Sequence, residues 1–430
     1  MRIVKIFSDK RVISTNSCYT SVSTTITDMQ LVERHIIKQS HKFYKECDKF
    51  CFLSKNLFNY ANYLIRQPFI NDRTRLSYNT VQKQCQNTPD YLALPAKVSQ
   101  QVLMKLDEAW KSFAVINKEY YKNPAKFKGR PKLPGYKHKT EGRNLVTYTN
   151  QAISKKALKK GLINPSKTDI FIPTKVDNVC QVRIVPKIKY YVIEVVYEKE
   201  TEQHELDSNT VAGLDIGLNT LGALTSNLKG FKPVLVNGRP LKSINVYFNK
   251  KRASLQSKLK GKIYTSNQIQ KLTHKRNCKV DNYLHNASRF IVNYLLKHRV
   301  GNLVIGKNDG WKQEINLGKR NNQNFVQIPH AKFIEMLQYK CELVGIEVFI
   351  TEESYTSKCS ALDNEPICKH ELYLGKRVKR GLFRTADNKF INADINGSLN
   401  IIRKVFPNAF VEGIQAVVVQ PVRITPYKLN

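Results

Sequence analysis

The sequence predicts a multidomain α/β protein, with a helical module and a small β-domain in its first half and a mixed α/β domain in its second. Three observations predict this. Apolar and aromatic residues recur at three- to four-residue spacing between about 40 and 120. β-Branched and aromatic residues dominate 145–198. From 210 onward, strand-like and helix-like runs alternate. The 430 residues suffice for two to four domains, and a hydrophobic content of 41% suits a globular chain.

Residues 1–28 are polar and rich in Thr and Ser, and ordered patterning begins near Met29, which raises the expectation that Met29 is the true start. KECDKFCFLSKNLFNYANYLIRQPF and LPAKVSQQVLMKLDEAWKSFAVINKEYYK carry helical periodicity, broken between them by NTPD at 87–90. Cys47 and Cys51, four apart, fall on the core face of the first helix. NPAKFKGRPKLPGYKHK (123–139) is too rich in Pro and Gly to be helical. Its aromatics lie between cations, which suits an extended arm on a phosphate backbone better than a plain linker. VRIVPKIKYYVIEVVYE reads as a hairpin turning at 186–189, and the helical module can be an insertion in this β-domain. In the second half, strands are expected at 211–217, 221–226, 302–306 and 346–352. Helices are expected at 243–260, 266–298, 328–344 and 394–405. The stretch 411–430 carries Pro421 and Pro426 and no amphipathic pattern.

Charge narrows the function. The 71 Lys and Arg residues outnumber the 34 Asp and Glu, for a net charge of +37. A compact protein with that excess repels itself unless a polyanion neutralises it, and nucleic acid rewards such cations through counterion release. A membrane surface fits less well, because the cations are spread along the chain rather than gathered beside one amphipathic helix. There is no run long and apolar enough for a transmembrane helix and no signal-peptide pattern. Nine irregularly spaced cysteines suit a reducing compartment, and the expectation is a cytoplasmic, nucleoid-associated protein.

Acidic residues are scarce, so those at strand ends need a reason. Asp215 lies within the apolar strand VAGLDIGLNTLGALTSN, where an uncompensated carboxylate costs several kcal/mol. Glu352 and Glu353 end IEVFITEESYTSK, and Asp394 sits in NADINGSLNIIRK. Taken alone, Asp394 reads as a helix N-cap and the Glu pair as a solvated strand end. A divalent cation accounts for all of them, since hard cations take oxygen ligands and compensate buried negative charge.

LDIGLNTLGALTSN, the segment from VIGKNDGWKQ to EESYTSK, and INADINGSLNIIRK together resemble the motif regions of TnpB, a transposon-encoded RNA-guided DNA endonuclease with a RuvC-type nuclease domain. SKNLFNYANYLIRQPFI, KFKGRPKLPGYK and RIVPKIKYYVIEVVYE extend the resemblance to about residues 30–405. It implies an α/β RNase H-like (RuvC) nuclease domain plus a small β-barrel wedge domain with an inserted helical recognition domain. The implied boundaries are: 1–42, an N-terminal extension and first wedge part; 43–120, the recognition helices; 121–205, the second wedge part; 206–353 and 391–410, the nuclease domain; 354–390, a target-nucleic-acid-binding insert; and 411–430, a tail. The resemblance further implies a two-metal Mg2+ site, a guide RNA, target double-stranded DNA and a monomeric protein.

Asp215 then matches the first catalytic acid and Asp394 the third. The second departs from the usual pattern: Gly306 stands near the glutamate's usual place on LVIGKN, while Glu353, just before YTS, matches a rearranged branch shared with Fanzor relatives. Neighbouring strands lie about 5 Å apart, so a long side chain from one can fill a gap on the next. Residues 352 and 353 point to opposite faces, and Glu353 is favoured over Glu352. Of the family's two C-x-x-C pairs only Cys359, Cys368 and His370 have counterparts, which argues against zinc and leaves YLGKRVKRGLFRT to hold itself by strand pairing.

Candidate nucleic-acid contacts are Lys126, Lys128, Arg130, Lys132 and Lys137 on the arm, Lys275, Arg276 and Arg289 (with Lys279) on the long helix, and Lys376, Arg377, Lys379 and Arg380 beside the third acid. Asn59, Tyr63 and Arg66 are further candidates on one helical face. The competing readings are a nuclease-inactive RNA-guided repressor, a DNA-joining transposase and a plain RNA-binding protein.

Overall fold

The structure is a computed structural model that describes residues 29–261, 263–307, 328–414 and 420–426. The segment 1–28, most of the stretch after LVIGK, and parts of the tail lie outside these residues, and with them the expectation about Met29 as a start. The chain divides into two compact units that part between Glu200 and Thr201.

In the first unit, β1 (Met29–Lys38) is followed by α1 (Tyr44–Asp72), α2 (Tyr78–Cys85), α3 (Pro89–Leu92) and α4 (Ala96–Lys122), and only then by β2 (Val146–Thr149). α5 (Lys155–Leu158), β3 (Leu162–Ile163), β4 (Ile172–Pro173), β5 (Val179–Lys187) and β6 (Tyr190–Lys199) complete it. The antiparallel sheet runs β1-β6-β5-β2, so the helices are an insertion between its two edge strands. β5 and β6 form a hairpin whose turn uses Lys189 at φ 64°. The edges β1 and β2 are not paired with each other, so among the described residues the sheet is open, not the closed barrel expected; α1 and α4 pack against it. α1 and α4 bury Leu57, Ala61, Ile65, Leu103, Leu106 and Trp110, and the Trp110 indole donates to Asn62 Oδ1 at 3.0 Å. Cys47 and Cys51 are both buried on α1.

The second unit opens with β7 (Asp207–Asp215), β8 (Thr220–Ser226) and β9 (Val234–Asn237), an antiparallel meander. Helices α6 (Arg239–Gln256) and α7 (Asn267–Lys297) lead to β10 (Val300–Gly306), and α8 (His330–Glu342) leads to β11 (Glu347–Thr351). β12 (Lys376–Lys379), β13 (Leu382–Arg384) and β14 (Phe390–Asn392) form a separate small sheet, followed by α9 (Ala393–Val405) and β15 (Val422–Ile424). The main sheet runs β11-β10-β7-β8-β9-β15. β15, in the stretch read as a patternless tail, adds a parallel strand to β9; three residues are too few for periodicity to betray.

Helices cover both faces. α9 lies close over β7 because Gly213 has no side chain: a Cβ there would come within 2.4 Å of the Ser398 backbone oxygen. Ser398 donates to the Gly213 carbonyl at 2.7 Å. On the other face Ile291 of α7 approaches Gly222, where a Cβ would lie 3.9 Å from its Cδ1, and α8 packs on α7 and β11.

Candidate active site

The register of the main sheet defines one row of residues. Asp215 opposes Ala223, Ala223 opposes Leu235, and Leu235 opposes Arg423. On the other side Leu214 opposes Ile305 and Gly306 opposes Thr351, so the row continues through Gly306 to Thr351. Opposed residues share a face. For this row it is the α9 face, since a Cβ on Gly397 of α9 would lie 2.8 Å from Asp215 Oδ2.

Glu353 reaches the same row from beyond β11. A Cβ on Gly306 would meet Glu353 Cγ and Oε1, each at 2.6 Å, so the glutamate side chain fills the space that Gly306 leaves on β10. Glu352 is exposed and accepts a hydrogen bond from the Ser354 hydroxyl. Asp394 comes from the first turn of α9. It is not the N-cap: Asn392 caps the helix, its Oδ1 accepting from Asp394 N at 3.0 Å and Ile395 N at 3.2 Å. The cap leaves the Asp394 carboxylate to Arg377, whose guanidinium lies 3.2 Å from Oδ1.

Burial pushes the Asp215 carboxyl well above the usual carboxylate range; the nearby Glu353 and Asp394 charges push it further, and Arg377 partly offsets them. Its side chain keeps some accessible surface, although protein surrounds it densely. Burial raises Glu353 to about 7. Glu353 and Asp394 thus stand within electrostatic reach of Asp215, at a cost to its ionised state. Among the described residues no three His, Cys, Asp or Glu side chains close into a ready-made ligand cage. The donor set nonetheless fits a hard divalent cation: every donor is a carboxylate oxygen, and two glycines, Gly306 and Gly397, make the room for Glu353 and Asp215.

Two family models match this half of the chain. OrfB_IS605, described as "Probable transposase", matches residues 194–312, and "Cas12f1-like, TNB domain" matches 330–401. The TnpB-like protein ORF457 of Acidianus two-tailed virus is 21% identical over 402 residues, 82% of this chain and 81% of its own length. The chain is similar to TnpB-like proteins. It is also 26% identical over 240 residues to the CRISPR-associated endodeoxyribonuclease Cas12f2 of a Micrarchaeota archaeon, covering 52% of this chain but only 42% of that relative. A solved Cas12f1–sgRNA–target DNA complex shares the fold, with a TM-score of 0.51 at 14% identity, covering 83% of this chain and 82% of that one.

In this chain the insert is held by protein contacts. Glu365, 2% exposed, accepts from Ser360 N at 2.6 Å and Leu374 N at 2.9 Å, while Phe383 and Ile391 pack with Ala393, Ile395 and Leu399 of α9. Cys359 Sγ faces the Cys368 carbonyl at 3.7 Å, and Cys368 Sγ lies 3.4 Å from His370 Nε2. β12, β13 and β14 pair antiparallel.

The basic candidates fall into distinct settings. Lys376, Arg377, Lys379 and Arg380 are exposed beside Asp394. Lys275, Lys279 and Arg289 are exposed on α7, whereas the Arg276 guanidinium donates to Asn245 at 2.9 and 2.7 Å and ties α7 to α6. The arm lies along α1. Asn59 brackets Lys137 through its backbone N and O, and Asn62 and Arg66 both donate to the Pro134 carbonyl. Asn59 and Arg66 therefore hold the arm, while Tyr63 stays 51% exposed. Lys126 pairs with Glu119, Arg130 donates to the Tyr121 hydroxyl at 2.9 Å, and Lys128 and Lys132 are exposed.

Arg239, first residue of α6, and Arg423 went unread in the sequence. With Arg377 and Arg380 they line a cavity of about 330 Å³ whose wall includes Asp394. Neither lies in a motif, and only the register of β15 could have signalled Arg423.

Proposed function

We propose that the chain is a Mg2+-dependent, RNA-guided DNA endonuclease of a transposable element. The observation that carries this reading is the placing of Glu353 over Gly306 on the row of Asp215, with Asp394 within electrostatic reach. The strand order of the second unit, a three-stranded meander extended by the parallel strands β10 and β11 on one side and β15 on the other, supports an RNase H-like nuclease domain.

Asp215, Glu353 and Asp394 would hold the divalent ions. Bound there, such ions supply Lewis acidity and lower the pKa of a coordinated water. The chain's own residues set the conditions. With its carboxyl raised to about 7, Glu353 can hold or release a proton near physiological pH, and its carboxylate form would hold a cation. Arg377 screens Asp394. The basic insert beside Asp394 draws a phosphate strand in, and the spread of charge over the chain suits a guide–target duplex gripped by its backbone while base pairing reads sequence.

The test is cleavage of a plasmid by the protein with the RNA that co-purifies with it. Site-specific, Mg2+-dependent cuts that vanish in Asp215→Asn support the reading. Guided binding without cuts favours a repressor, and strand-transfer products without RNA favour a transposase.

A further inference from the structure

We infer that Arg239, Arg380 and Arg423 form a phosphate clamp that seats the DNA strand beside the bond being cut; the inference rests on the nuclease reading above. The cavity of about 330 Å³ next to Asp394 is lined by four arginines, with Asp394 its one acidic residue. One of the four, Arg377, already faces Asp394. Among the described residues the wall holds no carboxylate besides Asp394 to answer the remaining three guanidiniums, and a phosphate is what such a set of cations takes.

The fold brings the three together from distant stretches of sequence. Arg239 is fixed where β9 turns into α6: its backbone N donates to Asn237 Oδ1 at 3.1 Å, and Gly238 allows a close approach to the β7–β8 turn, since a Cβ there would lie 2.3 Å from the Leu218 carbonyl oxygen. Arg423 is fixed by β15, whose pairing with β9 is reinforced by Asn237 donating to Thr425 at 3.0 Å. Arg380 comes from the turn joining β12 and β13, where Gly381 takes φ 79°. Arg423 lies on the same row and face as Asp215, three strands away, or roughly 14 Å at about 4.8 Å per strand. That distance spans a few phosphates of a single strand. Ala223 and Leu235, between Asp215 and Arg423 on that row, are buried, so a DNA strand reaches both ends along the cavity wall, where Asp394 and the arginines stand together. The clamp contacts phosphates and not bases, so it fixes position without reading sequence.

The test is equilibrium binding of a fluorescent single-stranded DNA oligonucleotide, without divalent ions, to the full chain with its co-purified RNA, across a range of salt. Wild type is compared with the double variant Arg239→Ala/Arg423→Ala, the Arg→Lys counterparts, and Lys156→Ala, an exposed residue of the first unit that serves as a charge control. Both arginines are exposed, so truncation leaves the core intact. The double variant is expected to bind about tenfold more weakly than the control and to lose about one or two from the salt slope. The lysine counterparts should recover part of the affinity. A series of oligonucleotides with one methylphosphonate each should show a position whose neutralisation weakens wild type and not the double variant. Equal affinity and slope in the double variant and the control would overturn the clamp, as would a loss seen only with RNA oligonucleotides. Mg2+-dependent cleavage, assayed separately, distinguishes the readings: cutting with no binding defect removes the clamp alone, and a binding defect without cutting in wild type removes the nuclease reading alone.

Discussion

At the scale of residues, charge compensation decides the account. Arg377 pairs with Asp394, and a half-exposed pair of this kind contributes about 0–1 kcal/mol. Arg377→Ala should therefore raise divalent-ion affinity up to about fivefold while lowering DNA cleavage, a split that metal titration and a cleavage assay measure together. The two glutamates should part just as clearly. Glu353→Gln is expected to lower cleavage by at least about a hundredfold, whereas Glu352→Gln, exposed and turned toward Ser354, should stay within about twofold of wild type. The acids were legible in the sequence because a carboxylate inside VAGLDIGLN is hard to explain without a partner. The choice between residues 352 and 353 needed strand alternation as well. Arg377's ion pair was not legible, because Asp394 stands seventeen positions further along, beyond β13 and β14, and only tertiary packing closes that gap.

At the scale of elements, glycines set how closely strands and helices approach. Gly306 and Glu353 act as one unit across β10 and the end of β11. Gly306→Ala should displace the glutamate and cost most of the activity, since the added carbon would sit 2.6 Å from its side chain. Gly306→Glu combined with Glu353→Ala should restore part of the metal binding, by returning a carboxylate to the same row; no recovery above Glu353→Ala alone would refute the shared space. The α7–α8 pair carries a different device. Lys340 is buried, donates to the His285 carbonyl at 2.9 Å and to Ser288 Oγ at 2.6 Å, and faces Arg289 and Cys341. Burial first, then Arg289, lowers its ammonium to about 7. The unfolded chain holds that proton to about 10.5, so this group's contribution to stability rises from pH 7 to 10.5 and is lost as pH falls through 7. Relative to Lys340→Met, wild-type stability in urea melts should climb by about 1 kcal/mol per pH unit between pH 8 and 10. The long helices and the β5–β6 hairpin were legible because their periodicity is sustained. The β12–β13 pairing expected in YLGKRVKRGLFRT is present, but β9, β14, β15 and the open edge of the first sheet were not legible, since strands of three or four residues are defined by their partners more than by their own pattern.

At the scale of the whole molecule, a chain of net charge +37 brings three of its scarce acids near one another and lines the cavity beside one of them, Asp394, with arginines. The charge made a polyanionic partner legible from composition alone. What it could not show was that the last strand, β15, delivers Arg423 to the row that begins at the acids, because a parallel pairing across so much sequence leaves no local trace. The central claim is that Asp215, Glu353 and Asp394 together hold divalent ions. Mn2+ titration followed by electron paramagnetic resonance tests it most directly. The account predicts saturable binding of one or two ions that tightens from pH 6 to pH 8 as the raised carboxyls ionise, is abolished in Asp215→Asn and Glu353→Gln, and is unchanged in Glu352→Gln. Mn2+ binding that survives intact in Asp215→Asn, or no saturable binding in wild type at pH 8, would contradict it.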